Sequence, residues 1–210
     1  TFVINKEGVV IAWNRAIEEM TGVHKQDIIG QGDYAYSVPF YGIRRPMLID
    51  LINNLEAENE HYKEIRREGA SLYAEMFTPA VYGGRGAYIW VKASPLFDAD
   101  GNIVGAIESV RDISERKHFE EQLRYLSLHD ALTGLYNRTY FEEEIRRLES
   151  GRFVPSGLII CDVDGLKLVN DTLGHDAGDN LLRAVARVIE SCFRADDVVA
   201  RVGGDEFAIL

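Results

Sequence analysis

The stretch LIICDVDGLKLVNDTLGHDAGD, residues 158–179, decides how this chain is read. It opens as a short apolar run, Gly157 to Cys161, of the length and composition of a buried strand. Asp162 and Asp164 follow at once, so the chain delivers two acids to the edge of a sheet. Farther on, VVARVGGDEFAIL (198–210) reads as a β-hairpin turning at Gly203-Gly204, with Asp205 and Glu206 immediately after the glycines. Ordinary turn chemistry accounts for either acid pair taken singly.

Taken together, the two pairs suit a hard divalent cation. Mg²⁺ prefers oxygen ligands from short acidic side chains and shares its remaining positions with waters and substrate phosphates. Between the pairs lie Gly165, whose position after a strand frees backbone N–H groups for a phosphate, and Lys167, a cation for charge developing at phosphorus. Asn170 and Asp179 carry the amide and carboxylate needed to read a guanine edge. Singly, Asn170 also reads as a helix cap and His175 as a structural histidine.

Around this core the elements alternate. Leu181 to Phe193 reads as a helix, with Leu182, Val185, Ala186 and Ile189 on one face, and Arg138 to Leu148 as another. Upstream, SERKHFEEQLRYLSLHDALT (114–133) is polar and helix-favouring; its narrow stripe of Phe119, Leu123 and Leu126 suits a two-helix seam or a helix lying on its own domain. Earlier still, residues 2–13 read as a hairpin. A helix follows, carrying Ala16, Ile17, Met20 and Val23 and closed near Gly22. A longer helix is expected from about Pro46, with Met47, Leu48, Leu51, Ile52 and Leu55 on one face. Strands are expected over Leu72–Val81, Ala87–Leu96 and Ile103–Val110, the last two joined by a turn at Asp100-Gly101-Asn102. Helices against an antiparallel sheet define an α+β arrangement.

Composition bounds the function. With 46% hydrophobic and 27% charged residues, the chain has a core to bury and a surface to solvate. A net charge of −11 argues against nucleic acid and anionic membrane as partners, and means that a nucleotide needs local cations or N–H groups to bind. Cys161 and Cys192, in apolar surroundings without metal-ligand spacing, are expected to be buried free thiols of a reducing compartment. No apolar run reaches membrane-spanning length.

Four pieces, HDALTGLYNR (129–138), CDVDGLKLVND (161–171), GHDAGD (174–179) and RVGGDEF (201–207), together resemble the first half of a GGDEF diguanylate cyclase domain. That family joins two GTP into cyclic di-GMP and two pyrophosphates on a ferredoxin-like, nucleotide-cyclase palm. The resemblance implies that Asp162, the Val163 carbonyl and Asp205 bind Mg²⁺ (or Mn²⁺). Asp205 and Glu206 are then catalytic, with Asp205 helping to deprotonate the 3′-hydroxyl, and Lys167 stabilises the transition state. Asn170, His175 and Asp179 contact the guanine nucleotide, and the N–H groups near Gly165 and Leu166 cradle phosphate. Gly165-Leu166 departs mildly from the family, where this pair often includes an aromatic. Two half-sites must meet, so a homodimer is implied. The RADD run, Arg194 to Asp197, resembles the family's product-inhibition site, with Arg194 on a phosphate of cyclic di-GMP and Asp197 on a guanine; a surface ion pair accounts for the same residues.

The N-terminal half resembles a PAS domain with its PAC segment, through VVIAWNRAIEEMTGV (9–23) and DADGNIVGAIESVRDISERK (98–117). The expected organisation is a PAS/PAC sensor over 1–116, a helical linker over 117–129, and the front part of a GGDEF domain over 130–210. No PAS ligand is assigned. His24 and His61 read as exposed polar residues rather than haem ligands, and Trp13, Tyr34, Tyr36 and Trp90 as core rather than pocket. The resemblance implies a signal-regulated, cytoplasmic diguanylate cyclase, leaving open a membrane-anchored parent. A non-catalytic cyclic di-GMP receptor and a sensor or dimerisation module are the alternatives. Both ends look cut, and the fragment itself is expected to be inactive or very weak.

Overall fold

The computed structural model describes residues 1–52, 62, 64–150 and 157–210, the side chains of 149 and 150 excepted. They form two compact units, Thr1–His118 and Phe119–Leu210.

The first unit begins with the expected hairpin, β1 (Phe2–Asn5) and β2 (Val10–Trp13). The Asn5 side-chain oxygen accepts the N–H groups of Glu7 and Val9, at 3.1 and 2.8 Å, and so shapes the turn. Helix α1 (Arg15–Thr21) is capped by Asn14, whose Oδ1 accepts the Ile17 N–H at 3.1 Å, and closes at Gly22 with φ of 75°. The short α2 (Lys25–Ile28) and α3 (Val38–Tyr41) follow. The helix expected from Pro46 is instead a 3₁₀ segment, Leu48–Ile52. Here Asp50 accepts the Met47 N–H at 2.7 Å, and Leu48, Ile49 and Leu51 are all buried, a tighter winding than one apolar helix stripe. Leu55 and His61 lie outside the described residues.

Next come β3 (Arg66–Glu68), β4 (Ser71–Thr78), the single turn α4 (Val81–Gly84), β5 (Ala87–Phe97) and β6 (Ile103–Asp112). The expected strand to Val81 stops at Thr78 because Tyr82 and Gly83 turn left-handed. All strands pair antiparallel in the order β2-β1-β6-β5-β4-β3. Along β4 and β5 every second residue is buried, Leu72 and Ala74 on one strand and Ile89, Val91 and Ala93 on the next, which gives the sheet one apolar face. That face holds an aromatic cluster in which Phe2 lies 5.4 Å from Trp13 and 5.5 Å from Tyr36, ring centre to ring centre.

Helix α5 (Ser114–Leu128) begins where the Ser114 N–H meets the Asp112 carboxylate at 2.8 Å. Arg116 and Lys117 both reach Glu75, at 2.5 and 2.8 Å. Phe119, Leu123 and Leu126 are exposed along its length.

The second unit holds β7 (Tyr136–Asn137), α6 (Arg138–Ser150), β8 (Ile159–Asp162), α7 (Leu166–Leu173), α8 (His175–Cys192), β9 (Val199–Arg201) and β10 (Glu206–Ile209). The sheet order is β7-β9-β10-β8. Phe207 and Ile209 pack with Leu182 and Ala186 of α8, whereas Ala200 and Ala208 pack with Phe141 of α6, so the sheet is covered on both faces. Three readings are corrected. β8 is an edge strand with Ile159 and Ile160 exposed (47% and 67%), not a buried one. α8 starts at His175, before Leu181, and Cys192 at its end is exposed. Cys161 is half-buried, and both thiols are free.

Candidate functional site

The two acid pairs meet through strand register. β10 runs antiparallel to β8 with Glu206 opposite Asp162, and beyond that rung the Val163 N–H donates to the Asp205 carbonyl at 3.0 Å. Asp162, Val163, Asp205 and Glu206 therefore stand on two hydrogen-bonded chain ends. Directly opposite residues share a face, so Glu206 rather than Asp205 is the cross-strand neighbour of Asp162. The Glu206 carboxylate folds over Gly203, where a Cβ would come within 2.4 Å of its Oε2. Asp162 and Glu206 are exposed and Asp205 half-buried. Among the described residues no group of three or more His, Cys, Asp or Glu side chains could hold a metal ion by itself. The donors present are short carboxylates with hard oxygens, which fits a Mg²⁺ that keeps waters and borrows substrate oxygens.

From this end of β8 the chain turns into α7. Gly165 sits before its first residue with φ of 79°, a conformation glycine adopts without strain, and no side chain caps the helix. The N–H groups after Gly165 are thus without a side-chain cap, beside an exposed Lys167. α7 then packs on α8. At the contact the Asn170 amide lies so close to Gly178 that a Cβ there would sit 1.9 Å from Oδ1. Gly178 is one residue from Asp179 and one helical turn from His175, so Asn170 packs on the stretch of α8 that carries both residues. His175 is exposed, and Asp179 and Asn170 are half-buried.

Sequence reasoning missed the bracket behind the hairpin. Asp130 accepts Thr133 N–H and Oγ1–H at 2.9 and 2.7 Å and pairs with Arg201 at 3.1 Å; Arg201 also donates to the Gly204 carbonyl at 2.6 Å. Burial raises the Asp130 carboxyl, but the Thr133 and Arg201 hydrogen bonds outweigh it and hold it below the ordinary range. The glycine pair is thereby fastened to the DALT turn, 71 residues away in sequence. The same turn starts a run of stacked rings: Tyr125 on His129 at 4.0 Å, His129 on Tyr136 at 4.6 Å, and Tyr136 on Tyr140 at 3.9 Å.

Arg194 and Asp197 form a reverse turn. The Arg194 N–H donates to the Asp197 carboxylate at 2.8 Å, and the Asp197 N–H to the Arg194 carbonyl at 3.1 Å. Both line a cavity of about 250 Å³ with His129, Tyr136, Glu190 and Phe193. In the first unit Trp13 and Tyr36 are core, Trp90 is half-buried, and Tyr34 and His24 are exposed.

A PAS fold matches residues 1–118, and the domain described as diguanylate cyclase, GGDEF, matches residues 127–210. The two matches thus define the class, that of proteins that join a PAS fold to a GGDEF domain. Within it the chain belongs to the PAS-fold family over its first 118 residues and continues as a GGDEF domain. The probable diguanylate cyclase DgcE of Escherichia coli is 40% identical over 129 residues, 60% of this chain and 12% of that protein. The cyclic di-GMP phosphodiesterase PdeR of the same species is 31% identical over 209 residues, 99% of this chain and 30% of that protein. The chain spans less than a third of either relative. The crystal structure of the coiled coil and GGDEF domain of DgcB from Caulobacter crescentus, in complex with c-di-GMP, is 34% identical, with a TM-score of 0.41, over 46% of this chain and 52% of that one. Among the described residues no helix is long and apolar enough to cross a membrane.

Proposed function

We propose that the second unit is a GTP half-site of a diguanylate cyclase whose output the PAS unit regulates. The observation that carries this reading is the β8–β10 register, which seats Asp162 across from Glu206 and ties Val163 to Asp205 where the uncapped start of α7 begins. Asn170 and Asp179 would read the guanine edge, the N–H groups after Gly165 would take phosphate oxygens, and Lys167 would face charge growing on the α-phosphorus. Asp162, the Val163 carbonyl and Asp205 would hold Mg²⁺ or Mn²⁺, with Glu206 beside them; the ion supplies charge neutralisation for the triphosphate. Asp205 would then accept the 3′-hydroxyl proton as that oxygen attacks the α-phosphorus of a second GTP and pyrophosphate leaves. Each half-site presents one nucleotide, so two copies must face each other.

Calorimetric titration of GTP with Mg²⁺ tests the half-site. Binding is expected to vanish with EDTA and to weaken about tenfold or more in Asn170→Ala or Asp179→Ala, the loss of a hydrogen bond to a charged or polar edge. GTP binding that ignores both substitutions refutes the assignment. A receptor role for the Arg194–Asp197 cavity is the second reading, favoured by its partly aromatic lining; cyclic di-GMP binding lost in Arg194→Ala, without GTP turnover, would establish it.

A further inference from the structure

The first unit carries an open cavity that the cyclase chemistry does not use. Its volume is about 650 Å³. It lies beside the half of β4 that β3 does not pair with, between that strand, the segment after α3 that holds Arg45, and the start of α5. One wall is aromatic. Phe77 and Tyr88, opposite each other on β4 and β5, meet edge to face with ring centres 5.2 Å apart. They remain 51% and 44% exposed, apolar area that a ligand in the cavity can cover.

The other wall carries charge. Arg45 and Lys117 line it against a single acid, Glu75. Glu75 is already matched, since Arg116 and Lys117 both reach it. Arg45 is not. Its guanidinium carbon lies 3.6 Å from the centre of the Tyr41 ring, and no carboxylate pairs with it among the described residues. Its Nε is buried without a hydrogen-bond partner. A guanidinium drawn out of water ordinarily meets a carboxylate, phosphate or carbonyl, so one left without an acid calls for an explanation. Arg45 is also held where it stands. Its backbone N–H donates to Ser37 Oγ at 2.9 Å, and the Tyr41 hydroxyl donates to Met76 Sδ at 3.0 Å, which fixes the ring it stacks on.

We infer that this cavity binds an aryl carboxylate, its ring against Phe77 and Tyr88 and its carboxylate on the Arg45 guanidinium. Two cations against one acid leave the lining positive in a chain whose overall charge is −11, so an anion is favoured here and repelled elsewhere. The planar fork of an arginine matches a carboxylate. The volume falls inside the range of small-molecule sites and admits a ring with its acid group. Lys117 belongs to α5, so an occupant touches the sheet and the helix together.

Calorimetry on the 210-residue chain tests this with benzoate and hydrocinnamate, against benzamide, benzylamine and acetate as neutral, cationic and ring-free probes. At least one aryl carboxylate is expected to bind with Kd below about 1 mM, weakening as salt is raised. Arg45→Gln is expected to weaken it about tenfold. Phe77→Ala, at an exposed side chain, is expected to weaken it about threefold or more while leaving the unfolding midpoint in place. Absence of aryl carboxylate binding up to about 10 mM overturns the inference. So does equal binding of benzamide, benzylamine or acetate, or affinity that Phe77→Ala, or an Arg45→Gln chain that still folds, leaves unchanged.

Discussion

At the scale of single residues, two side chains show how position overrides type. Gly178 lies inside α8, where alanine ordinarily stabilises a helix by about 1 kcal/mol. Its absent side chain is the room that the Asn170 amide occupies. Because the obstacle is the tip of a side chain, Gly178→Ala is expected to change stability by less than about 1 kcal/mol, since Asn170 can swing aside. The same substitution is expected to reproduce the GTP-binding loss of Asn170→Ala. Urea unfolding and GTP calorimetry on one sample check both halves. Glu108 is the second case. Burial pushes its carboxyl up to about 8, with the Ile49 N–H pulling the other way. An unfolded glutamate titrates near about 4.3, so across that interval the folded chain holds a proton the unfolded chain has lost. Stability therefore falls as pH rises between those values. Glu108→Gln cannot ionise; it is expected to match the parent near pH ~4 and exceed it by on the order of 5 kcal/mol near pH ~9. Equal pH dependence in the two proteins would show that Glu108 does not titrate in that window.

Elements differ in how openly the sequence declares them. The β1–β2 hairpin and α1 were legible because Asn5, Asn14 and Gly22 punctuate them and the apolar spacing between is regular. Strands β4, β5 and β6 were legible as apolar runs, whereas the short, exposed β3 was not. α7 was not, because it is only eight residues long and starts at Gly165 without a capping side chain. β8 looked like a buried strand because its residues are apolar, yet burial is decided by place in the sheet, and β8 lies at the edge. An apolar edge strand invites pairing with another chain. Ile160→Lys is accordingly expected to lower concentration-dependent self-association, measured by light scattering, while shifting stability by less than about 0.5 kcal/mol. The candidate site was legible as a set of residue types. Its assembly was not, because which acid faces which depends on the register of strands separated by two helices. The Asp130–Arg201 bracket was hidden for the same reason: neither residue carries a local signal of the other.

On the scale of the whole molecule, α5 leads from one unit into the other, exposing Phe119, Leu123 and Leu126. We propose that this stripe pairs with a second copy and that the phase of the pairing carries the signal. Helix geometry makes the idea testable, since each added residue rotates the downstream chain by about 100° and seven residues nearly restore the original face. Two residues inserted after Glu121, which turn the stripe to about the opposite side, are expected to change self-association in sedimentation, and cyclic di-GMP output in an active form of the protein; seven are expected to restore both. Identical behaviour of the two insertions would remove α5 as the signalling element.

Both tryptophans, Trp13 and Trp90, belong to the first unit, whereas the second is lit only by its tyrosines. Indole emission is thus a private channel to the sensor half, and helical circular dichroism draws on the two halves together. If the halves come apart independently on heating, the two signals will trace separate curves from one cuvette, and an occupant of the sensor will move the first curve while leaving the remainder of the second where it was.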